Sequence, residues 1–128
     1  MKETIKIICV DDDTVVHHLL TRVLELAGIS TLAWCKSAEE LLEMKDSTDY
    51  QEAAMFLFDF HMPNMTGAEL AARLRAGGEK RPILLTSAFS YDFRWGLREM
   101  KVEFMQKPYD FDELESVIKN LVHQSVLM

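Results

Sequence analysis

The sequence is poor in cysteine, with only Cys9 and Cys35 among 128 residues. Disulfide scaffolds and cysteine zinc sites need more cysteines, at closer or paired spacings. The composition therefore excludes a disulfide-stabilised secreted domain and a cysteine zinc site. Because Cys9 lies inside an apolar run and Cys35 follows another, we expect both thiols to be reduced in a cytoplasmic protein.

Long apolar segments and an excess of basic residues are also missing. No run approaches the roughly 20 apolar residues that span a bilayer, and the charged start, MKET, does not fit a signal peptide. The 14 Lys and Arg residues are outnumbered by 21 Asp and Glu residues, which gives a net charge of -7. A surface of this sign does not release counterions from nucleic-acid phosphates. We expect neither membrane insertion nor direct binding of nucleic acid.

Apolar runs typical of strands alternate along the chain with segments of helical period. With 128 residues, 48% of them hydrophobic, the chain can form one core and is predicted to be a single domain, residues 1–128. The predicted strands are 5–10, 30–34, 55–59, 83–86 and 102–105. The predicted helices are 14–27, 37–44, 67–76, 91–100 and 110–122, with a polar connection at 45–52. This alternation favours an α/β fold, a parallel sheet with helices on both faces.

Polar side chains follow the predicted strands where each strand ends. Asp59 closes the apolar run MFLF, Asp11 and Asp12 follow the first strand, and Ser87 and Lys107 follow the last two. The carboxyl ends of parallel strands lie along one edge of a sheet, so we expect these side chains to converge. Considered alone, Asp59 is equally consistent with a turn former or a helix cap.

This set of side chains fits phosphoryl chemistry. Carboxylates that are packed together repel each other, and a divalent cation with oxygen ligands, most simply Mg²⁺, relieves the repulsion. Lys107 supplies a positive charge and Ser87 a hydroxyl group, both suited to phosphoryl oxygens. The residues therefore predict phosphoryl transfer to the carboxylate of Asp59.

Four motifs in chain order resemble the receiver domain of bacterial two-component response regulators. They are VDDD at 10–13, MPNMTG at 62–67, LLTSA at 84–88 and KPYDF at 107–111. The resemblance implies a flavodoxin-like (βα)5 fold, a doubly wound parallel sheet with strand order 2-1-3-4-5. It also implies that Asp59 is the phospho-acceptor, Lys107 the phosphate-contacting lysine and Ser87 the switch hydroxyl.

Further roles follow from the same resemblance. Mg²⁺ would be held by Asp11, Asp12, Asp59 and the backbone carbonyl of His61. The phosphoryl donor would be a histidine kinase or a phosphotransfer protein that presents phosphohistidine. Phe104 would rotate inward as Ser87 moves, and the switching face would comprise the fourth predicted helix, the fifth strand and the fifth predicted helix. An ordinary core position is the alternative for Phe104.

The switching face would address a downstream protein target or an output domain, either separate or excised from this chain. A homodimer through that face is a further option. The chain would not be a conventional enzyme, although it would contribute to phosphoryl transfer and to its own dephosphorylation. His61 and Phe89 are predicted at the rim of the pocket, where Phe89 would slow attack by water, and a solvated loop position is the alternative for His61. The resemblance also implies a cis peptide bond between Lys107 and Pro108.

Two rival functions remain open from the sequence. The segment VDDDTV at 10–15 also resembles the signature of haloacid-dehalogenase-type phosphatases, in which Asp11 would be the nucleophile. That alternative leaves Asp59 unexplained. The other rival is a receiver-like binding module that signals without phosphate, and the complete set of acids, hydroxyl and amine counts against it.

Two pairs of side chains lie outside this pattern. His17 and His18 are adjacent on the first predicted helix and point about 100° apart, so a shared ligand is not expected. Tyr91 and Trp95, on the fourth predicted helix, fit a partner-docking surface and ordinary packing equally well.

Overall fold

Five parallel strands form one sheet in the structure, a computed structural model that describes residues 4–89 and 94–127. The strands are β1 Ile5–Val10, β2 Ile29–Cys35, β3 Met55–Asp59, β4 Ile83–Ser87 and β5 Glu103–Gln106. Their order is β2-β1-β3-β4-β5, and all neighbouring strands run parallel. The predicted flavodoxin-like fold and its strand order are confirmed.

Helices connect the strands on both sides of the sheet. Within the described residues they are α1 Thr14–Leu26, α2 Ala38–Glu43, α3 Thr48–Glu52, α4 Gly67–Ala76, α5 Arg94–Glu99 and α6 Phe111–Leu127. Helix α5 covers Arg94–Glu99 of the predicted range 91–100, of which residues 91–93 lie outside the described part of the chain, and α6 extends beyond its predicted end at residue 122. Tyr91 and the side chain of Trp95 lie outside the described part of the chain, so docking through this pair stays a prediction.

The predicted polar connection at 45–52 is wrong in one respect, because it contains α3. Ser47 caps this helix, and its hydroxyl oxygen accepts the Tyr50 N–H at 3.1 Å. Tyr50 turns its ring into the core, where it is only 4% exposed. A cap followed by one buried residue is too short a pattern to show a helical period, which is why the sequence analysis missed it.

The central strands are buried on both faces, in agreement with their uninterrupted apolar sequence. Alternate side chains point to opposite faces of the sheet, so each strand contributes to two cores. One core packs against α2, α3, α4 and α5 and includes Ile8, Val10, Phe56, Phe58 and Leu85. The other packs against α1 and α6 and includes Ile7, Cys9, Met55, Leu57 and Leu84. The ends of β1 and β3, which carry the aspartates, are therefore fixed from both sides.

The two cysteines lie apart in the structure. Cys9 and Cys35 are free and buried, and they belong to the cores on opposite faces of the sheet. None of the helices in the described ranges combines the length and the hydropathy that a membrane crossing requires.

Arg81 binds the backbone at the amino edge of the sheet, opposite the predicted site. Its guanidinium donates to the carbonyls of Tyr50 and Ala53 at 2.5 and 2.9 Å, and to both carboxylate oxygens of Glu79 at 2.7 and 2.8 Å. The same guanidinium lies 4.8 Å from the ring centroids of Tyr50 and Phe56. Arg81 thus ties the start of β4 to the segment between α3 and β3, with its charge compensated by Glu79.

Replacing Glu79 with Gln tests how much this ion pair stabilises the fold. Burial, the largest single effect, raises the pKa of Glu79, but the hydrogen bonds and charge of Arg81 outweigh it and lower the pKa from 4.5 to about 2. Ionised Glu79 therefore stabilises the folded state above pH 4.5, and this stabilisation is lost as the pH falls towards 2. We expect Glu79→Gln to reduce the free energy of unfolding in urea by roughly 1–3 kcal/mol at neutral pH.

The difference between Glu79→Gln and the native protein should shrink as the pH falls from 4.5 to about 2. Glu115→Gln is the matched control, because Glu115 forms an ion pair with Lys119 at 2.8 Å on the exposed side of α6. This control should change the free energy of unfolding by less than roughly 0.5 kcal/mol. A loss for Glu79→Gln that did not vary with pH would contradict the assignment.

Candidate functional site

Three charged side chains meet at the carboxyl edge of the sheet. Asp11 follows β1, Asp59 is the last residue of β3, and Lys107 follows β5. Lys107 Nζ donates to Asp59 Oδ1 at 2.9 Å and lies 3.8 Å from Asp11 Oδ2. The peptide bond between Lys107 and Pro108 is cis, as the family resemblance implied. The fold thus brings together residues that are 48 positions apart in the sequence.

Burial and neighbouring charges shift the pKa values of Asp11 and Lys107 in this cluster. The pKa of Asp11 is raised from 3.8 to about 6, chiefly by burial and to a smaller extent by the charges of Asp59 and Asp12, while the hydrogen bond from the Asp13 amide and the charge of Lys107 oppose the rise. Burial lowers the pKa of Lys107, but its bond to Asp59 and the charges of Asp59 and Asp11 outweigh burial, so the net shift is upward. The ammonium group of Lys107 is therefore held charged, while Asp11 resists ionisation.

The same acids form a donor set that suits a divalent cation. One oxygen from each of Asp11, Asp12 and Asp59 lies within 4.8 Å of the others. Carboxylate oxygens are the ligands that Mg²⁺ prefers, and Mg²⁺ usually keeps several waters beside one or two carboxylates. Three carboxylates facing one ammonium group leave a net negative charge. The residues present therefore fit Mg²⁺.

The backbone around Asp59 is fixed by the turn that follows it. The Phe60 N–H donates to the Thr86 carbonyl at 2.8 Å, and the Gly67 N–H donates to the Phe60 carbonyl at 2.9 Å. A Cβ atom on Gly67 would lie 2.3 Å from the Asp59 carbonyl oxygen and 2.6 Å from Leu85 Cδ1. Only glycine lets the start of α4 approach β3 this closely.

Ser87 and Phe89 are linked beside this cluster. Ser87 ends β4 with no exposed surface, and its hydroxyl oxygen accepts the Phe89 N–H at 3.1 Å. The Phe89 ring is 45% exposed and packs edge-on against the exposed His61 ring, with centroids 5.2 Å apart. His61 packs in the same way against Phe60, at 4.9 Å. The loops after β3 and β4 therefore meet through aromatic rings.

Phe104 lies away from the charged cluster, on β5. It pairs with Leu85 of β4 in the sheet register, and its partly buried ring packs against the core that contains Leu85. This position is compatible with the switch role and with the core role. The choice between them stays a prediction.

Sequence reasoning missed Trp34, which reaches the cluster from β2. Its indole N–H donates to the Asp11 carbonyl at 2.8 Å, and its ring stacks on His17 with centroids 4.4 Å apart and planes 11° apart. The only available signal was a tryptophan at the carboxyl end of a strand predicted beside the first. His17 in turn stacks on His18, at 5.2 Å and 4°. Lone pairs in two parallel ring planes cannot meet at one ion, so this pair does not form a shared metal site.

Comparison with known proteins identifies the family that this chain resembles. A family model described as response regulator receiver domain matches residues 7–119. The chain is 30% identical over 123 residues to the two-component response regulator PhoP of Pseudomonas aeruginosa, covering 94% of this chain and 52% of that protein. It is 32% identical over 126 residues to the response regulator MprA of Mycobacterium ulcerans, covering 97% of this chain and 53% of that protein. The chain thus spans about half the length of these curated relatives.

Solved structures agree in fold. The signal receiver domain of the response regulator NarL from Mycobacterium tuberculosis has a TM-score of 0.83 at 20% identity, covering 95% of this chain and 98% of that one. CheY in the CheX–CheY–BeF3–Mg²⁺ complex from Borrelia burgdorferi has a TM-score of 0.80 at 18% identity, covering 98% of this chain and 91% of the matched chain. At these identities the likeness establishes the fold alone.

Replacing Gly67 with Ala tests the close approach between α4 and Asp59. The added methyl group meets the Asp59 carbonyl and Leu85, so either α4 or β3 must shift. We expect a loss of roughly 1–3 kcal/mol in the free energy of unfolding. Gly96→Ala is the matched control, because nothing lies within 4 Å of a Cβ on this α5 residue. The control should be neutral or stabilising by up to about 1 kcal/mol, and an equally stable Gly67→Ala protein would contradict the geometry.

Proposed function

The chain belongs to the response regulator receiver domain family, and on this premise we propose that Asp59 is its phospho-acceptor. The donor is a histidine kinase or a phosphotransfer protein that carries phosphohistidine. The observation that carries the proposal is the 2.9 Å contact between Lys107 Nζ and Asp59 Oδ1, next to the carboxylates of Asp11 and Asp12. Among the described side chains, this arrangement combines a nucleophilic carboxylate with a fixed positive charge.

The chemistry is a phosphoryl transfer between two side chains. An Asp59 carboxylate oxygen forms a bond to phosphorus as the bond from phosphorus to the donor imidazole nitrogen breaks. The donor ring carries a proton on its other nitrogen, so it leaves as neutral imidazole, and an acyl phosphate remains on Asp59. Lys107 stays charged and interacts with the phosphoryl oxygens. Asp11, Asp12, Asp59 and the His61 carbonyl would hold Mg²⁺, which would supply further positive charge at the site. Attack by water on phosphorus later returns Asp59 to the carboxylate.

Phosphorylation is read out by movement of Ser87 and Phe104. The Ser87 hydroxyl moves to a phosphoryl oxygen, Phe104 turns inward, and the face formed by α5, β5 and α6 changes shape. That face contacts a downstream protein target or an output domain, and a homodimer through it is part of this proposal. Because the relatives are about twice as long as this chain, the identity of the output rests on the proposal alone. The two free thiols fit the cytoplasmic setting that we propose.

Labelling with acetyl phosphate tests the acceptor. The native protein should acquire label in a Mg²⁺-dependent manner, and Asp59→Asn should reduce the label to background because an amide is not a nucleophile for this reaction. Asp49→Asn, a change to an exposed acid in the first turn of α3, is the matched control and should label normally.

Each other outcome of the labelling experiment selects a rival. Label that persists in Asp59→Asn and maps to Asp11 would support the haloacid-dehalogenase-type alternative. A native protein that takes no label from acetyl phosphate, and none from a phosphorylated histidine kinase, would support the binding module that works without phosphate.

Replacing Phe89 with Ala tests the aromatic rim. The Phe89 ring packs against His61 at the mouth of the site and restricts the approach of water to the acyl phosphate. We expect the lifetime of phosphorylated Phe89→Ala to fall roughly twofold to tenfold, which corresponds to a barrier lowered by about 0.4–1.4 kcal/mol. The measurement is the decay of label after removal of the donor. Phe89→Leu keeps apolar bulk and should decay nearly as slowly as the native protein, whereas equal lifetimes for all three proteins would remove this role.

A further inference from the structure

Trp34 connects β2 to the acidic loop that follows β1. Its Nε1–H donates to the Asp11 carbonyl at 2.8 Å, while the Asp11 N–H donates to the Cys35 carbonyl at 2.9 Å. Both backbone groups of Asp11 are therefore attached to the end of β2. The second of these contacts continues the parallel ladder, in which Val10 pairs with Cys35. The first contact is different because it needs a tryptophan side chain at position 34.

The carbonyl that Trp34 binds belongs to the peptide unit between Asp11 and Asp12. A peptide unit is planar, so fixing the direction of its carbonyl also fixes its N–H and the position of the next Cα. The Asp12 side chain leaves from that Cα and is exposed. The direction of the Asp12 side chain is thus set by the backbone and not by packing against neighbours. The Asp11 carboxylate, in contrast, is fixed by a hydrogen bond that it accepts from the Asp13 N–H at 3.0 Å.

The indole ring is held in place from two sides. His17 of α1 stacks on it at 4.4 Å, and the His17 N–H donates to the Asp13 carbonyl at 3.1 Å. The indole also lines a cavity of about 10 Å³ that Asp11, Asp59 and Tyr109 share. A space of this size holds at most about one water molecule, so the ring has little room to move away from Asp11. Trp34 is therefore a rigid donor next to the acidic cluster.

We propose that Trp34 is a positioning residue for the cation site. Its indole N–H orients the peptide unit between Asp11 and Asp12, and this unit in turn directs the Asp12 carboxylate. The inference rests on the proposed role of Asp11, Asp12 and Asp59 as Mg²⁺ ligands. Groups that orient metal ligands without touching the metal typically change the metal affinity by about 10–100-fold when they are removed. Trp34 acts on affinity, because Asp12 is presented to the cation before any phosphoryl group arrives.

Trp34→Phe removes the N–H group and keeps an aromatic ring for His17 to stack on. Isothermal titration calorimetry of this variant with Mg²⁺ alone, without a phosphoryl donor, should give a Kd for Mg²⁺ about tenfold higher than that of the native protein. The melting temperature in the presence of a chelator should fall to an extent similar to that of the Tyr50→Phe control described below, because the Asp11 carbonyl loses its partner. In the acetyl phosphate reaction, the Mg²⁺ concentration for half-maximal labelling should rise by the same factor, and the rate at saturating Mg²⁺ should be preserved.

Two further variants separate positioning from a general structural role. Tyr50→Phe is the matched control, because it also removes one hydrogen-bond donor from an aromatic side chain. The Tyr50 hydroxyl donates to Glu79 at 3.0 Å, at the opposite edge of the sheet. This substitution should lower the melting temperature and leave the Kd for Mg²⁺ unchanged. His17→Phe keeps the stack on Trp34 and should bind Mg²⁺ like the native protein, whereas His17→Ala should weaken binding because the indole loses its support.

The outcomes distinguish this inference from the proposed function. If the native protein binds no Mg²⁺, the cation site itself is overturned. If the native protein binds Mg²⁺ and Trp34→Phe binds it equally well, only the role of Trp34 is overturned. Should Trp34→Phe fail to fold, the indole N–H signal of Trp34 in the native protein, assigned with Trp95→Phe, should shift on Mg²⁺ titration with the same Kd as the Asp12 amide. An indole signal that did not respond would overturn the inference.

Discussion

The contact between Lys107 and the two buried aspartates is the interaction on which the site depends. The ends of β1 and β3 are fixed by two apolar cores, so Asp11 and Asp59 cannot move apart to relieve their repulsion. Lys107 supplies one positive charge, which is not enough to offset burial, and the pKa of Asp11 rises from 3.8 to about 6. Because this pKa is raised in the folded state, ionised Asp11 destabilises the fold, increasingly as the pH rises from 3.8 to about 6. A further positive charge at the cluster relieves that cost.

The pKa values of the acids at the two edges of the sheet are shifted in opposite directions. At the amino edge the acid is satisfied, because Arg81 binds both oxygens of Glu79 and lowers its pKa to about 2. Arg75 strengthens the same edge by donating to four carbonyls, those of Glu79, Arg81, Met100 and Lys101. At the carboxyl edge, Asp11 is left under-compensated. One edge thus stabilises the fold, and the other keeps a charge imbalance that fits the proposed cation site and phosphoryl transfer.

The fold and the charged cluster were accessible from sequence for the same reason. Apolar runs that ended in polar residues located the strand ends, and the parallel topology then brought Asp11, Asp59 and Lys107 to one edge. Contacts that depend on side-chain reach were not accessible. Trp34 bonds a carbonyl 23 residues away, and Arg81 bonds a carbonyl 31 residues away. Neither leaves a local period, because the direction of a long side chain is decided by packing after the sheet has formed.

Phe89, at the proposed rim of the site, is bonded to Ser87, the proposed switch residue. The hydroxyl oxygen of Ser87 accepts the backbone N–H of Phe89, and the Phe89 ring contacts His61 on the loop after the acceptor strand. Any movement of the Ser87 hydroxyl towards a group on Asp59 must stretch or break its bond to Phe89. If that bond breaks, the amide of Phe89, a residue that is 45% exposed, exchanges the serine for another partner, and if the bond holds, Phe89 moves with the serine. The contact between Phe89 and His61, which we propose to restrict the approach of water, is thereby coupled through one hydrogen bond to Ser87, the residue proposed to respond to phosphate.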